Sequence, residues 1–392
     1  MNLGVTAEQG DLRDSVRRFL AERAPLARVR ELMETTDGTD VGVWRQAGAQ
    51  LGLQGIAIPE EYGGSGFSFA EQAIVLEELG AALYGGPYLA SAVLAATALL
   101  SGEDEAARRD LLPGIASGET IATLAFTEDD GSWDPESIRL AAAKNGSGWR
   151  LDGHKSFVLD GYGADLILAV AATGSGPSSG SGPSTGSGPS TGSGPSGLSL
   201  FVVDGTAAGL ACSALPTLDQ TRKLARCEFD SVPGRLIGSP GAAGAGLGHT
   251  LDVAAIALAA EQLGGAQRAL DMAVEYAKVR EQFGRPIGSF QAIKHRCADL
   301  LLEVESLRSA VGYAAAAVAA ASAEVPVLAA LVKAYASEVY SRVAGENIQI
   351  HGGIGFTWEH DAHLYLKRAK ASELFLGDGS YHRERLATRI GL

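Results

Sequence analysis

The chain of 392 residues carries 32 Lys+Arg against 46 Asp+Glu, a formal charge of −14 that argues against a nucleic-acid or polybasic membrane-surface protein. At 46% hydrophobic and 20% charged residues it is no disordered chain, and its length predicts two or three domains. Its cysteines, Cys212, Cys227 and Cys297, are widely spaced with no CxxC, which suggests neither a disulfide framework nor a cysteine metal site and fits a reducing cytoplasm.

The N-terminal stretch lacks an apolar run of signal-peptide length. The most apolar later run, Val311 to Ala323, is mostly alanine and is broken soon after by Glu324 and Pro326. A soluble, cytoplasmic protein without membrane insertion is expected. Residues 1–118 read as an N-terminal helical domain. In it Ser68-Phe-Ala-Glu71 forms a capping-box sequence ahead of an apolar stripe through Ile74, Val75, Leu76 and Leu79, and Gly85-Gly86-Pro87 stops the run. From Ile121 to about Pro233 the period changes to two: TIATLAFTE, GWRLDGHKSFV, DLILAVAA, LSLFVVD and RCEFDSV read as strands of a middle β domain, residues 119–236. Inside it lie four hexapeptides of the GSGPST kind, residues 174–197, without charge or apolar side chain. Their flanks read as strands, so the repeat is expected to be an overgrown hairpin loop. Relative to a four-residue turn its closure costs only about 1.6 kcal/mol more. After about Gly246 long helical patterns return and define a C-terminal α domain, residues 237–392. Helices, then strands, then helices predict an α+β multidomain chain and exclude alternating βαβ units, in line with the lack of a GxGxxG or P-loop motif.

Three blocks are more specific. They are Ile58-Pro59-Glu60-Glu61-Tyr62-Gly63-Gly64-Ser65-Gly66, Arg280-Glu-Gln-Phe283-Gly284-Arg-Pro-Ile-Gly-Ser-Phe-Gln291, and Gln349-Ile-His-Gly352-Gly353-Ile-Gly355-Phe356. In that order and spacing they resemble the acyl-CoA dehydrogenase family across essentially the whole chain outside the repeat. The resemblance implies a helical N-terminal domain, a barrel-like middle β domain and a C-terminal four-helix bundle that builds the oligomer. It also implies FAD, an acyl-CoA substrate oxidised at its α and β carbons, and an electron-acceptor flavoprotein. An α proton beside a thioester is weakly acidic, so such a site needs a desolvated base and donors to the thioester oxygen.

In this family each FAD spans a subunit interface, which divides the residues in two. Arg280, Phe283, Gln291, Gln349, Gly352 and Gly353 match the positions that one subunit offers to its neighbour's flavin, where an arginine fork suits a diphosphate and glycines allow close approach. The half supplied by the β domain departs from the family pattern. Thr-Glu-Pro-Gly-x-Gly-Ser-Asp becomes Thr127-Glu-Asp129-Asp130-Gly-Ser-Trp-Asp134, adding charge where an anion would lie. Leu159 stands where a hydroxyl donates to the flavin, leaving Thr127 and Phe157 of the usual set. The usual base position is Leu376, and the alternative position on the first bundle helix is Ala254. The nearest carboxylate on that helical face is Glu261, in an apolar stretch; Asp378 and Glu373 are weaker candidates. No HxxxH or HExxH links His351, His360 and His363, and no metal site is expected.

The pattern of loss and retention resembles the noncatalytic partner subunits of α2β2 acyl-CoA dehydrogenases that degrade steroid side chains, as does the block from Gly353 to Tyr365. The reading is a subunit completing the flavin site of a related, base-bearing subunit. Its alternatives are a homotetrameric dehydrogenase using Glu261 as base, and a flavin monooxygenase or structural module on the same fold.

Overall fold

Helices begin where the sequence supplies a cap. The Thr6 hydroxyl accepts from Gln9 N and opens α1 (Ala7–Arg23) with a capping box, and Ser68 with Glu71 does the same for α4. The structure, a computed structural model, describes residues 6–173 and 197–392. After α1 come α2 (Leu26–Met33), α3 (Val41–Leu51), α4 (Phe69–Ala81), a π-helical segment (Leu89–Ala95) running into α5 (Ala96–Ser101), and α6 (Glu105–Ser117). Seven strands follow: β1 (Ala122–Ala125), β2 (Ala141–Asn145), β3 (Gly148–Leu159), β4 (Leu166–Ala172), β5 (Leu198–Asp204), β6 (Leu210–Leu215) and β7 (Leu224–Ile237). The chain closes with α7 (Ala243–Val279), a two-stranded hairpin of β8 (Glu281–Gln282) and β9 (Arg285–Pro286), then α8 (Gln291–Ala319), α9 (Val325–His351), α10 (Ala362–Leu374) and α11 (Gly379–Ile390). The helix, strand, helix order is the expected one.

These elements form two units. The first comprises Met1–Gly86, Thr217–Arg222 and Asp252–Leu392. Here α4 and α7 cross backbone against backbone. A Cβ added to Gly264 would sit 1.7 Å from Glu77 O, and one added to Gly80 would sit 1.9 Å from Glu261 O, so glycine is required at both. Glu77 and Glu78 of α4, nearly buried, share Arg13 of α1 at 2.7 and 2.8 Å, with Arg17 on Glu78 at 2.9 Å and Arg308 on Glu77. Helix α7 is long and apolar enough to cross a membrane by length and composition, but its most apolar window is mostly buried inside the protein.

The second unit comprises Pro87–Pro216 and Lys223–Leu251. Its sheet runs β1-β4-β2-β3-β7-β5, with β6 on β7, and β4 also pairs with β5. The ring is joined between β2 and β4 by the single pair Ala141↔Ala172, so it is barrel-like without being a continuous barrel. Alternate residues Ile167, Ala169 and Ala171 of β4, Phe201 and Val203 of β5, and Ala225, Cys227 and Phe229 of β7 fill one core. Strands β4 and β5 pair antiparallel from Leu166↔Asp204 to Ala172↔Leu198, as their sequences suggest; residues 174–196, most of the expected overgrown loop, lie outside the described residues.

The cysteine expectation needs correcting. Cys212 of β6 lies directly opposite Cys227 of β7, and the two form a disulfide. Spacing along the chain does not disclose this, because the pairing register brings the two together.

Candidate functional site

Thr127 follows β1 and is buried, and its hydroxyl donates to Ser156 O at 2.6 Å. That proton is committed within the sheet. The neighbouring Glu128 accepts from Arg139 N and Leu140 N at 2.7 Å and from Lys155 Nζ at 2.9 Å. Burial opposes its charge, but these donors hold the Glu128 carboxyl below its ordinary value. Burial in turn pulls Lys155 down to about 8, with Glu128 resisting. This ion pair fixes the strand end on which Phe157 sits, at a break in the β3–β7 register and with φ of 56°. Leu159, two residues on, is buried and offers no donor. The added charge of Asp129 is met inside the unit: its carboxylate accepts from Ser156 Oγ and Arg226, and His154 Nε2 lies 3.1 Å away. Those two hydrogen bonds hold Asp129 below the usual carboxylate range.

At one end of the first unit a small core of Ala273, Ala277 and Ile350, with Tyr276, Ile287, Ile293 and Cys297 packed on it, gathers the end of α7, the hairpin, the start of α8 and the end of α9. It thereby brings Arg280, Phe283, Gln291, Gln349, Gly352 and Gly353 to the same end, and all six are exposed. Phe283 is 93% exposed at the hairpin tip and holds a φ of 54°. A Cβ added to Gly352 or Gly353 would meet nothing within 4 Å, and Gly352 has φ of 64°, so the backbone there is open to close approach. His351 stacks on Tyr276 at 4.3 Å and lies 4.3 Å from the His360 ring, and among the described residues no group of three or more His, Cys, Asp or Glu is placed to hold a metal ion.

Glu261 of α7 lies in the same unit, clamped between two arginines. Its Oε1 accepts from Arg368 Nη1 at 2.6 Å and from Arg222 Nη2. Arg368 Nε also donates to Asp219 Oδ2 at 2.6 Å, and Arg222 Nη1 reaches Ser372 Oγ at 3.3 Å. All four charged side chains are 9% exposed or less. Burial opposes the charge on Arg368, but Asp219 and Glu261 hold its guanidinium above its ordinary value. Leu376 sits in the turn between α10 and α11, buried, with φ of 62°. Ala254 is fully buried. Asp378 caps α11 by accepting from Tyr381 N at 2.8 Å, and Glu373 accepts from Ser341 and Lys370.

Residues 6–119 match the N-terminal domain of acyl-CoA dehydrogenases and residues 246–391 match their C-terminal domain. Over 389 residues the chain is 36% identical to the acyl-CoA dehydrogenase IpdE2 of Mycolicibacterium smegmatis, covering 98% of this chain and 100% of that one. It belongs to the acyl-CoA dehydrogenase family. Among solved structures it is similar to the Tcur3481–Tcur3483 steroid ACAD, at 32% identity and a TM-score of 0.84 over 99% of each chain. It is also similar to the ChsE4–ChsE5 complex of Mycobacterium tuberculosis, at 31% identity and 0.84 over 100% of this chain and 99% of that one.

For an acyl-CoA dehydrogenase, several residues that shape these regions carry no local sequence signal. Arg222 and Arg368 come to Glu261 from 39 and 107 positions away, and Asp219 meets Arg368 across 149 positions. The available clue was a carboxylate inside an apolar helix, which demands a buried cation without saying which one. Arg226, which meets Asp129, is equally silent. Lys155 was visible as part of the strand motif, but its bond to Glu128 was not.

Proposed function

We propose that this acyl-CoA dehydrogenase chain is the noncatalytic partner subunit of a heteromeric enzyme acting on a steroid-type acyl-CoA. The observation that carries the reading is the α10–α11 turn. At the family's base position it presents Leu376, which has no proton-accepting group. Glu261 does not replace it, because two guanidinium groups share one of its oxygens, the arrangement of a structural ion pair.

The donor sets support the same division. Arg280, Gln291 and Gln349 offer exposed hydrogen-bond donors beside the exposed Phe283 ring and the open backbone of Gly352 and Gly353, a combination that fits an anionic, aromatic cofactor held by another subunit. The chain's own sheet fits that cofactor less well, since Leu159 has no donor and the Thr127 proton is already used. FAD, when bound, supplies hydride acceptance; this chain's part is to bind and orient it through the exposed set. The steroid class follows the similarity to ACAD complexes of that kind, and an electron-transfer flavoprotein would reoxidise the flavin.

The test is expression of the chain alone and together with a related subunit that carries a glutamate at the base position. Alone it should hold little FAD and turn over no acyl-CoA; together the two should co-purify with flavin and activity. Stoichiometric FAD with turnover from the lone chain would overturn the proposal.

A further inference from the structure

The end of the first unit that carries Arg280 and Gly352–Gly353 also gathers large apolar side chains in solvent: Val279, Phe283, Ile354, Phe356 and Trp358. The α9–α10 connection bearing the last three is folded back onto that end, because the His360 ring lies 4.3 Å from His351, which itself stacks on Tyr276 of α7. Exposed apolar residues scattered singly carry no meaning, but a group on one end of a fold marks an interaction site. Trp358 is the most constrained of the group. Lys367 of α10 places its ammonium 4.1 Å from the centre of the Trp358 ring, and His363 meets that ring edge-on at 4.7 Å. Arg30 of α2 ties down the same connection through Asp361 at 2.7 Å. The ring is thus held in one orientation while the residue stays 60% exposed, so covering it with another surface freezes little further motion. This end is also basic. Within residues 278–296 the exposed Lys278, Arg280, Arg285, Lys294 and Arg296 stand against a single acid, Glu281, in a chain with 32 Lys+Arg against 46 Asp+Glu.

We propose that Trp358, with Phe356 beside it in sequence, is the anchor by which this chain grips the subunit that holds the flavin, and that the face it fits is apolar at its centre and acidic at its rim. The inference rests on the partner-subunit reading and names the part of this chain that does the gripping. Continuity decides the occupant. Trp358 follows Gly353 by five residues on one connection, so a subunit that brings a cofactor against Gly352 and Gly353 also meets this ring. The basic residues around it select an acidic rim, and a Trp at the centre of such a patch is the kind of residue that carries most of an interface's binding energy. A lipid surface fits less well. It would use the apolar and basic groups but not the exposed Gln291 and Gln349 amides, and anionic lipid repels a chain of charge −14.

The experiment measures the dissociation constant between the full chain and the related, glutamate-bearing subunit, with the melting temperature of each lone variant. Trp358→Ala should raise the constant by at least about tenfold, chiefly through faster dissociation. The lone variant should melt with the wild type, because the side chain is largely in solvent. Phe356→Ala should act in the same direction, and it decides if Trp358→Ala melts lower. Leu374→Ala, similarly exposed at the far end of α10, should stay within about twofold of wild type. Added salt should weaken the wild type and Trp358→Ala by the same factor, since it screens the rim and not the ring. If the wild-type subunits associate and Trp358→Ala binds within about twofold of them, the anchor is overturned and the partner-subunit reading stands. If the wild-type subunits do not associate at all, both fall. Binding of the lone chain to phosphatidylserine vesicles, lost in Trp358→Ala, would overturn the proposal in favour of a lipid surface.

Discussion

Replacing Glu261 by glutamine removes one of two negative charges from a buried cluster in which Arg222 and Arg368 face Glu261 and Asp219. The four formal charges sum to zero, and the variant leaves a net positive charge among side chains that are 9% exposed or less. Breaking one side of a buried ion pair costs about 3–5 kcal/mol, and the glutamine oxygen still accepts a hydrogen bond, which places this variant near 3 kcal/mol. That is roughly a hundredfold in the folded-to-unfolded ratio. Denaturant unfolding of the chain alone should show the loss. Adding Arg222→Gln restores neutrality, so the double variant should be more stable than the sum of the singles predicts by at least about 1.5 kcal/mol. Glu31→Gln, at the exposed Arg28–Glu31 pair, serves as control and should stay within about 0.5 kcal/mol. A Glu261→Gln variant with wild-type stability and abolished turnover would refute the structural role and establish Glu261 as a base.

Gly264→Ala would drive a methyl group to 1.7 Å from Glu77 O, so α4 and α7 must part; a loss of about 3 kcal/mol or more is expected, and an unchanged melting temperature would refute the backbone-to-backbone crossing. Thiol titration of the unreduced, unfolded chain should find Cys297 alone reactive among the three cysteines, and reduction should lower stability by about 3 kcal/mol for a loop of this length. Three free thiols would exclude the Cys212–Cys227 bond. Burial pulls His382 from 6.5 down to about 3, so below pH 6.5 the unfolded chain takes up a proton that the folded chain refuses. Stability should therefore be complete above pH 6.5 and fall as pH drops toward 3, by no more than about 5 kcal/mol. His382→Gln should flatten that limb of the wild-type curve, and an unaltered acid limb in this variant would count against the assignment.

The locally specified features were legible. The Ser68–Glu71 capping box, the switch from helical to alternating periodicity near Ile121, and strands β4 and β5 on either side of the repeat could each be read from neighbouring residues. Strands β2 and β6 were not, since both are short, Ala141–Asn145 is mostly exposed, and Leu210–Leu215 has no fully buried residue and only the half-buried Leu210 and Cys212 on the core. The departures at Leu159 and Leu376 were also legible, because they are statements about which functional groups a side chain has. The part played by Asp129 is not legible: its charge reads as a repulsive addition in sequence, whereas β7 brings Arg226 to meet it.

By itself the sequence determined the order of helices and strands, the family resemblance, and the lack of an ionisable group at position 376. Backbone periodicity, caps and side-chain chemistry are properties of residues within a few positions of one another. The tertiary structure alone decided which charges pair and which hydrogen bonds are already spent. It joined Glu261 to Arg222 and Arg368, Cys212 to Cys227, and Lys333 to the carbonyls of residues 373 and 377. Burial makes an unpaired charge too costly to leave alone, yet any distant residue of the right kind could satisfy it, and only the packing of the elements selects the one that does.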